Sequence, residues 1–382
     1  MQGNESMNFG HMMPQIAKLS EHFLQKHAVR NGKGLNDTEP ISGEFALHRG
    51  QSSYDLYGML DSAYVLYTIN RLKDKTDRAS REIWAQRILS CQDEQGWFSK
   101  LNYRGHSREH ATAYVVGALR LLEVEPEETY VTRIKPPIAL LPILTSHRHF
   151  LHWIEHLNFR FTPRDILNKN LGWHHIWRGS HIGGGVAAII EMVSHLLTRW
   201  WPEKVNSEQW FNWYFNWLDM HANAESGYWQ RAFWNVIYRK PTIIDMGGAV
   251  HFLWIYEAMS RPFPHPEPVI LSTLQLQRQD GLYKDHPFCI DLDGNFCIVR
   301  SYLQLPKSQQ SAYTKKVHQS LEASFEGIVS HLTRKPFEEI YSDSHGLPGA
   351  LAALVECAKL PDFKYADSLK AFQHPLDRVC WL

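Results

Sequence analysis

The sequence predicts an all-α fold, an (α/α)6 toroid of six helical hairpins in a single domain spanning residues 1–382. Three observations predict it. First, one pattern recurs six times at roughly 50-residue spacing, which marks stacked supersecondary units. A helix ends in a turn holding Gly beside an aromatic, and a second helix opens on Asp, Ser or His. The second helices are expected to begin near Asp55, Ser107, Ser180, Asp245, Asp293 and Ser344. Second, those helices are rich in small residues, such as Ala111, Ala113, Gly117 and Ala118, which lets them pack tightly inside a ring. Third, almost nothing reads as strand, because segments such as Tyr130–Ile134 are short and isolated. An open helical solenoid is the alternative architecture.

The elements follow in order. Residues 1–13 read as a short flexible lead-in, and Gln15 to His27 places Ile16, Leu19, Phe23 and Leu24 on one helical face. The Gly32–Gly34 segment breaks that helix, and Tyr54 to Leu72 is its inner partner. The second hairpin is sharper: amphipathic Arg81–Gln92, a Gly-Trp turn, then Ser107–Leu122 with Ser107 as N-cap. Pro136, Pro137 and Pro142 punctuate the next linker, after which Ile143–Leu157 pairs with Ser180–Leu197. Glu208–Met220 pairs with Ile243–Met259, and Val269–Gln279 with Asp291–Leu305, where Pro306 stops the helix. Ser311–Leu332 pairs with Ser344–Ala358, and Pro348 is tolerated there because it falls in the first turn.

Charge and composition exclude several classes of function. The chain carries 40 basic and 40 acidic residues, formal net charge +0, so nothing favours nucleic acid or an anionic membrane. No apolar stretch approaches the roughly 20 residues that span a bilayer. Five scattered cysteines with no CxxC, and no basic-then-apolar start, lead us to expect a reduced cytoplasmic protein. The 14 Trp and 22 His stand out, and aromatics suit either a thick core or a cavity lining. The expected partner is a small-molecule or oligosaccharide substrate.

In a closed ring the inner-helix N-termini converge on one end, where they favour anions and also select Asp and Ser as simple caps. The densest cluster there is Cys289–Cys297, with Asp291 and Asp293 two apart. Carboxyls this close raise each other's apparent pKa, so one can stay protonated. An acid of that kind in an aromatic cavity protonates an alkene or epoxide; the same pair also suits a cation.

These residues resemble the terpenoid cyclase and protein prenyltransferase superfamily. Cys91–Trp97 (CQDEQGW) is similar to its QW repeat, with weaker echoes in ANAESGYW and QRQDGLY. Class II cyclases carry a DxDD acid motif, and Asp291-Leu292-Asp293-Gly294 stands at similar spacing with Gly in the fourth place. The resemblance implies Asp293 as proton donor and Asp291 as its tuning partner. Zinc-dependent toroids of the same group place ligands at the fifth and sixth inner helices. Asn295 and Ser344 stand where thiolates are expected, so the implied zinc or magnesium site is Asp293, Cys297 and His345.

Histidines supply the rival reading. His110, His181 and His345 occupy first-turn positions in different repeats, and His251 follows Asp245 by six residues. Facing one cavity with Asp245 and Glu109, they are candidate general acids and bases. Trp97, Trp173, Trp177, Tyr228 and Trp229 are then substrate platforms, stacking on sugar rings or stabilising a carbocation. His251 joins that substrate-binding group. The leading expectation is a terpenoid-cyclase-like isomerase using Asp293. A carbohydrate-active hydrolase, lyase or epimerase using Asp245 and the histidines is the alternative, and a zinc-dependent or non-catalytic ligand-binding toroid a further one.

Overall fold

The computed structural model describes residues 9–29, 39–99, 106–157, 175–202, 204–229 and 240–382. Among these the chain is all-α, with no strand and one isolated bridge between Ala28 and Phe45. Twelve principal helices alternate as first and second members of hairpins: α1 (Phe9–His27), α2 (Leu56–Thr68), α3 (Arg78–Leu89), α4 (Arg108–Leu122), α5 (His147–Leu157) and α6 (His175–Met192). There follow α7 (Ser207–His221), α8 (Ile243–Ala258), α9 (Pro266–Leu274), α10 (Cys289–Gln304), α11 (Lys307–Arg334) and α12 (Gly346–Cys357). The first helix starts earlier than its apolar stripe suggests, at Phe9. Tyr130–Arg133 is a short 3-10 turn.

The even-numbered helices contact one another in a cyclic order: α2 with α4, α4 with α6, α6 with α8, α8 with α10, α10 with α12, and α12 with α2. They are also the most buried elements, with twelve of the fifteen residues of α4 shielded from solvent. The pattern follows from composition, since α8 and α12 are apolar or small on nearly every face and have no side to give to water.

The turns explain the repeat. After α3, Gln92 Nε2 donates to the Gly96 carbonyl at 2.9 Å and to the Lys135 carbonyl at 2.9 Å. After α9, Gln277 does the same with Gly281 at 2.9 Å and Ser320 at 3.0 Å. Each glutamine ties its own turn to the following segment. Gly96 and Gly281 have φ of 86° and 82°, and a Cβ would meet the Pro136 or Ala323 carbonyl oxygen at 2.3 or 2.0 Å. Only glycine fits such a left-handed, close-packed position.

Helix starts are capped as expected at two repeats and shifted at the others. Asp55 accepts from Gly58 N at 2.9 Å and Ser107 from His110 N at 3.2 Å. In contrast, α6 begins at His175 rather than near Ser180, and α10 at Cys289, so Asp293 lies a full turn inside its helix. The α8 start is set by Thr242, whose N–H donates to Asp245 Oδ2 at 2.8 Å in a capping box.

The segment Val379–Leu382 runs among the even-numbered helices and is buried throughout. Tyr64 of α2 donates to the Trp381 carbonyl at 2.8 Å, and the Trp381 ring lies 5.0 Å from that of His251. No single described helix is long and apolar enough to cross a membrane; α6 with Ser194–Trp200 passes only as a pair bent by 84°.

Candidate functional site

The even-numbered helices bring together five histidines around a cavity of about 50 Å³, room for roughly four waters. His110 comes from α4, His181 from α6, His251 from α8, His345 from the N-cap of α12, and His106 from the turn before α4. The rings touch in a chain. His106 stacks on His110 at 4.3 Å, and His110 meets His181 at 4.5 Å. His181 in turn meets His251 at 4.8 Å, and His106 meets His345 at 4.9 Å. Tyr114, Trp177, Trp254, Cys289, Asp293 and Leu382 complete much of the lining.

Three consecutive helices, α4, α6 and α8, bear His110, His181 and His251. One ring nitrogen from each lies within 4.8 Å of the others, and all three residues are buried. His251 Nδ1 is 3.1 Å from Ser180 Oγ, whose hydroxyl also donates to the Trp177 carbonyl at 2.8 Å. Burial pushes the His251 imidazole down to about 3, against a hydrogen bond to the Gly247 backbone, so it is neutral at ordinary pH.

The other three, α10, α12 and α2, bear the acid–base groups. Asp61, in the middle of α2, is fully buried and gathers three partners. Ser344 Oγ donates to it at 2.6 Å and Tyr114 OH at 3.0 Å, and His345 Nδ1 lies 2.8 Å away. An acceptor meeting three donors suits an ionised carboxylate. It also fixes the imidazole orientation and leaves Nε2 as the basic nitrogen. Tyr57 OH lies 2.9 Å from His106 Nδ1, and its ring lies 5.0 Å from that of His345.

Asp293 is the opposite case. Its residue is 2 % exposed, and among the described residues it makes no hydrogen bond or ion pair. Burial, and then the charge of Asp291, push its carboxyl well above the usual carboxylate range. Gly247 of α8 packs beside it: a Cβ there would stand 3.4 Å from Asp293 Oδ2, at van der Waals contact, and 3.1 Å from Ile290 Cδ1. The neighbouring Cys289 thiol is also pushed up, first by burial and then by Asp293, and is no thiolate.

Several expected site residues lie elsewhere. Both Asp291 oxygens are taken by backbone N–H groups, Tyr283 at 3.1 Å and Phe288 at 3.0 Å, and it is the structural cap of α10. Burial still pushes Asp291 up to about 7. Asp245 is the capping-box partner of Thr242 and does not line the cavity. Cys297 sits in the core, outside the lining, so the set Asp293, Cys297 and His345 is not brought together there.

The turn-borne aromatics fold back into the core. Trp97 lies under the Arg108 guanidinium at 4.6 Å, Tyr228 bonds Thr273 Oγ1 at 2.6 Å, and Trp229 Nε1 donates to the Leu218 carbonyl at 2.9 Å. Trp177 alone of the platform residues that are described faces the cavity, and Trp173 lies outside the described residues. Sequence reasoning missed Asp61, His106, Tyr57, Tyr114 and Trp254. For Asp61 a signal existed, a lone acid within the otherwise apolar Leu56–Thr68 helix.

A roomier groove of about 740 Å³ runs beside Met13, Ala17, Arg71 and Lys370, but it contains no histidine and no buried carboxyl. Converging buried titratable groups, rather than volume, mark the histidine cavity as the candidate site. No family model, curated protein or solved structure matches the chain.

Proposed function

We propose that the chain closes into an (α/α)6 toroid and acts as a proton-transfer isomerase on a small hydroxy-carbonyl compound. The cyclic contact order of the six even-numbered helices supports closure. One observation carries the chemistry: a buried carboxyl with no partner among the described residues, Asp293, faces the same cavity as a histidine backed by a buried carboxyl, His345 on Asp61. An uncompensated buried carboxyl is most stable as the neutral acid.

His345 Nε2 takes the proton from the carbon beside the substrate carbonyl, while the Asp293 carboxylic acid gives its proton to the carbonyl oxygen. The resulting enediol returns one proton to Asp293 from the neighbouring hydroxyl and receives the other from His345 on the former carbonyl carbon. Carbonyl and hydroxyl have exchanged places, both residues are restored, and no oxidant is consumed. A polar, imidazole-rich lining favours this over alkene protonation, because imidazole lone pairs would capture a carbocation.

The test is solvent exchange. Trioses and tetroses incubated with the protein in D2O are followed by NMR for deuterium at the carbon beside the carbonyl. Asp293→Asn and His345→Gln are each expected to slow exchange by about 10²–10⁴-fold. Exchange that survives unchanged in Asp293→Asn, or is absent across the panel, removes the reading.

A further inference from the structure

We propose that His110, His181 and His251 form a three-histidine site for a divalent transition metal of the zinc class, with its remaining coordination position open to the cavity. The inference goes beyond the acid–base reading and rests on different residues, on the other half of the cycle of helices.

Three features carry it. The ligand set is right: three imidazoles with no thiolate is the donor set of catalytic zinc sites that keep one position for water or substrate. The convergence is right as well. The three nitrogens come from three separate helices, α4, α6 and α8, and lie within 4.8 Å of one another. Metal–nitrogen bonds of about 2.0–2.1 Å in a tetrahedron place such nitrogens roughly 3.4 Å apart. The remaining gap is at most about 1.4 Å, which side-chain rotation in a cavity of about 50 Å³ accommodates.

The third feature is support behind a ligand. His251 Nδ1 is held by Ser180 Oγ at 3.1 Å, and Ser180 is itself anchored by donating to the Trp177 carbonyl at 2.8 Å. With Nδ1 engaged, Nε2 is the nitrogen left for a metal, the outer-sphere device that metal-bound histidines use to fix orientation.

The location also differs from what the resemblance implies. A toroid zinc site at the fifth and sixth inner helices would use Asp293, Cys297 and His345, whereas the converging nitrogens sit on the second, third and fourth. Asp293 and His345 are then left to handle protons. A bound cation supplies Lewis-acid polarisation of a substrate oxygen.

The experiment is metal titration of the full-length protein, stripped with chelator and exchanged into chelator-free buffer. Co2+ serves as the spectroscopic probe and Zn2+ as its competitor. The expected result is one equivalent of Co2+ with intense visible d–d bands, displaced by Zn2+. His181→Ala and His251→Ala should each weaken binding by more than about 100-fold. Ser180→Ala, which keeps every ligand, should weaken it by about 10-fold, within the range typical of outer-sphere partners. Ser180→Ala also covers the case in which a ligand variant does not fold.

Absence of one-equivalent binding overturns the proposal. So does binding that withstands His181→Ala but is lost in His345→Ala. The two readings fail separately. Loss of cobalt bands alongside a slow Asp293→Asn enzyme removes the metal and leaves the acid. Cobalt bands alongside unimpaired exchange in Asp293→Asn do the reverse.

Discussion

The same three helices, α8, α10 and α12, carry ionisable groups at both ends, and the two ends are built on different terms. Toward the C-terminal ends, Arg300 is bound by Glu356 at 2.6 Å and by Glu257 at 2.8 Å, and His374 Nε2 lies 2.7 Å from Glu356. Every charge there has a partner, although Glu356 is wholly buried. Toward the N-terminal ends stand Asp293 and His345, with His251 midway along α8, and Asp293 has no partner among the described residues. Buried polar networks stabilise only when fully satisfied, and an unsatisfied group is costly. One end of these helices is arranged for stability. The other leaves a buried carboxyl uncompensated among the described residues, a kind of cost that proteins carry at functional or strained sites.

The largest expected effect lies at the satisfied end. Glu356→Ala leaves Arg300 with its outer partner alone and should cost about 3–5 kcal/mol in urea denaturation, the range for breaking a buried pair. A loss below about 1 kcal/mol would show that this network is no stronger than a surface ion pair. Acid should reproduce much of the effect. Against burial, which pushes it up, Arg300 and then His374 hold the Glu356 carboxyl down to about 2. A carboxyl depressed in the folded state contributes stability above its unfolded value of about 4.3, and loses it as pH falls toward the folded value. That contribution is about 3 kcal/mol at neutral pH. The stability gap between wild type and Glu356→Gln should therefore be widest at pH 7 and shrink as pH falls below about 4.

Asp61 tests the comparison from just behind the cavity lining, because it holds His345 yet is satisfied. Asp61→Asn keeps the volume but can no longer accept from Ser344, Tyr114 and His345 together. Stranding one buried donor should cost about 1–3 kcal/mol by chemical denaturation. A neutral result would mean that the three contacts contribute orientation without stability.

How much of this was legible beforehand depends on whether a signal repeats. Glycine-aromatic turns and alternating helices announce themselves in every hairpin, and the twelve principal helices all overlap segments predicted from the pattern. His110, His181 and His345 were visible because the sequence pattern sets them at matching places in different repeats, although α6 begins at His175 and leaves His181 nearly two turns in rather than in the first turn. Caps and catalytic acids were not separable, since both are Asp near a helix start. Asp245 and Asp291 turned out to bind backbone N–H groups, and only Asp293 reaches the cavity. The turn aromatics misled for a related reason. A tryptophan after a turn can swing inward or outward, and Trp229 swings in to reach the Leu218 carbonyl. Contacts across long separations, such as Tyr64 with Trp381, leave no local trace at all.

The smallest stability effect is the most informative. Asp293→Asn replaces a buried neutral acid with an amide of nearly the same shape, and Asp293 has no hydrogen bond or ion pair to forfeit among the described residues. Stability should change by less than about 1 kcal/mol, the size of effect seen when no cavity, charge or paired partner is altered. Exchange activity should nonetheless fall by about 10²–10⁴-fold, because the amide cannot deliver a proton to the carbonyl oxygen. A large stability loss with intact exchange would reverse the assignment, placing Asp293 with Glu356 among the structural charges. Near-native stability with lost exchange would separate Asp293 from Arg300 by function, two positions about 10 Å apart along α10 at about 1.5 Å per residue.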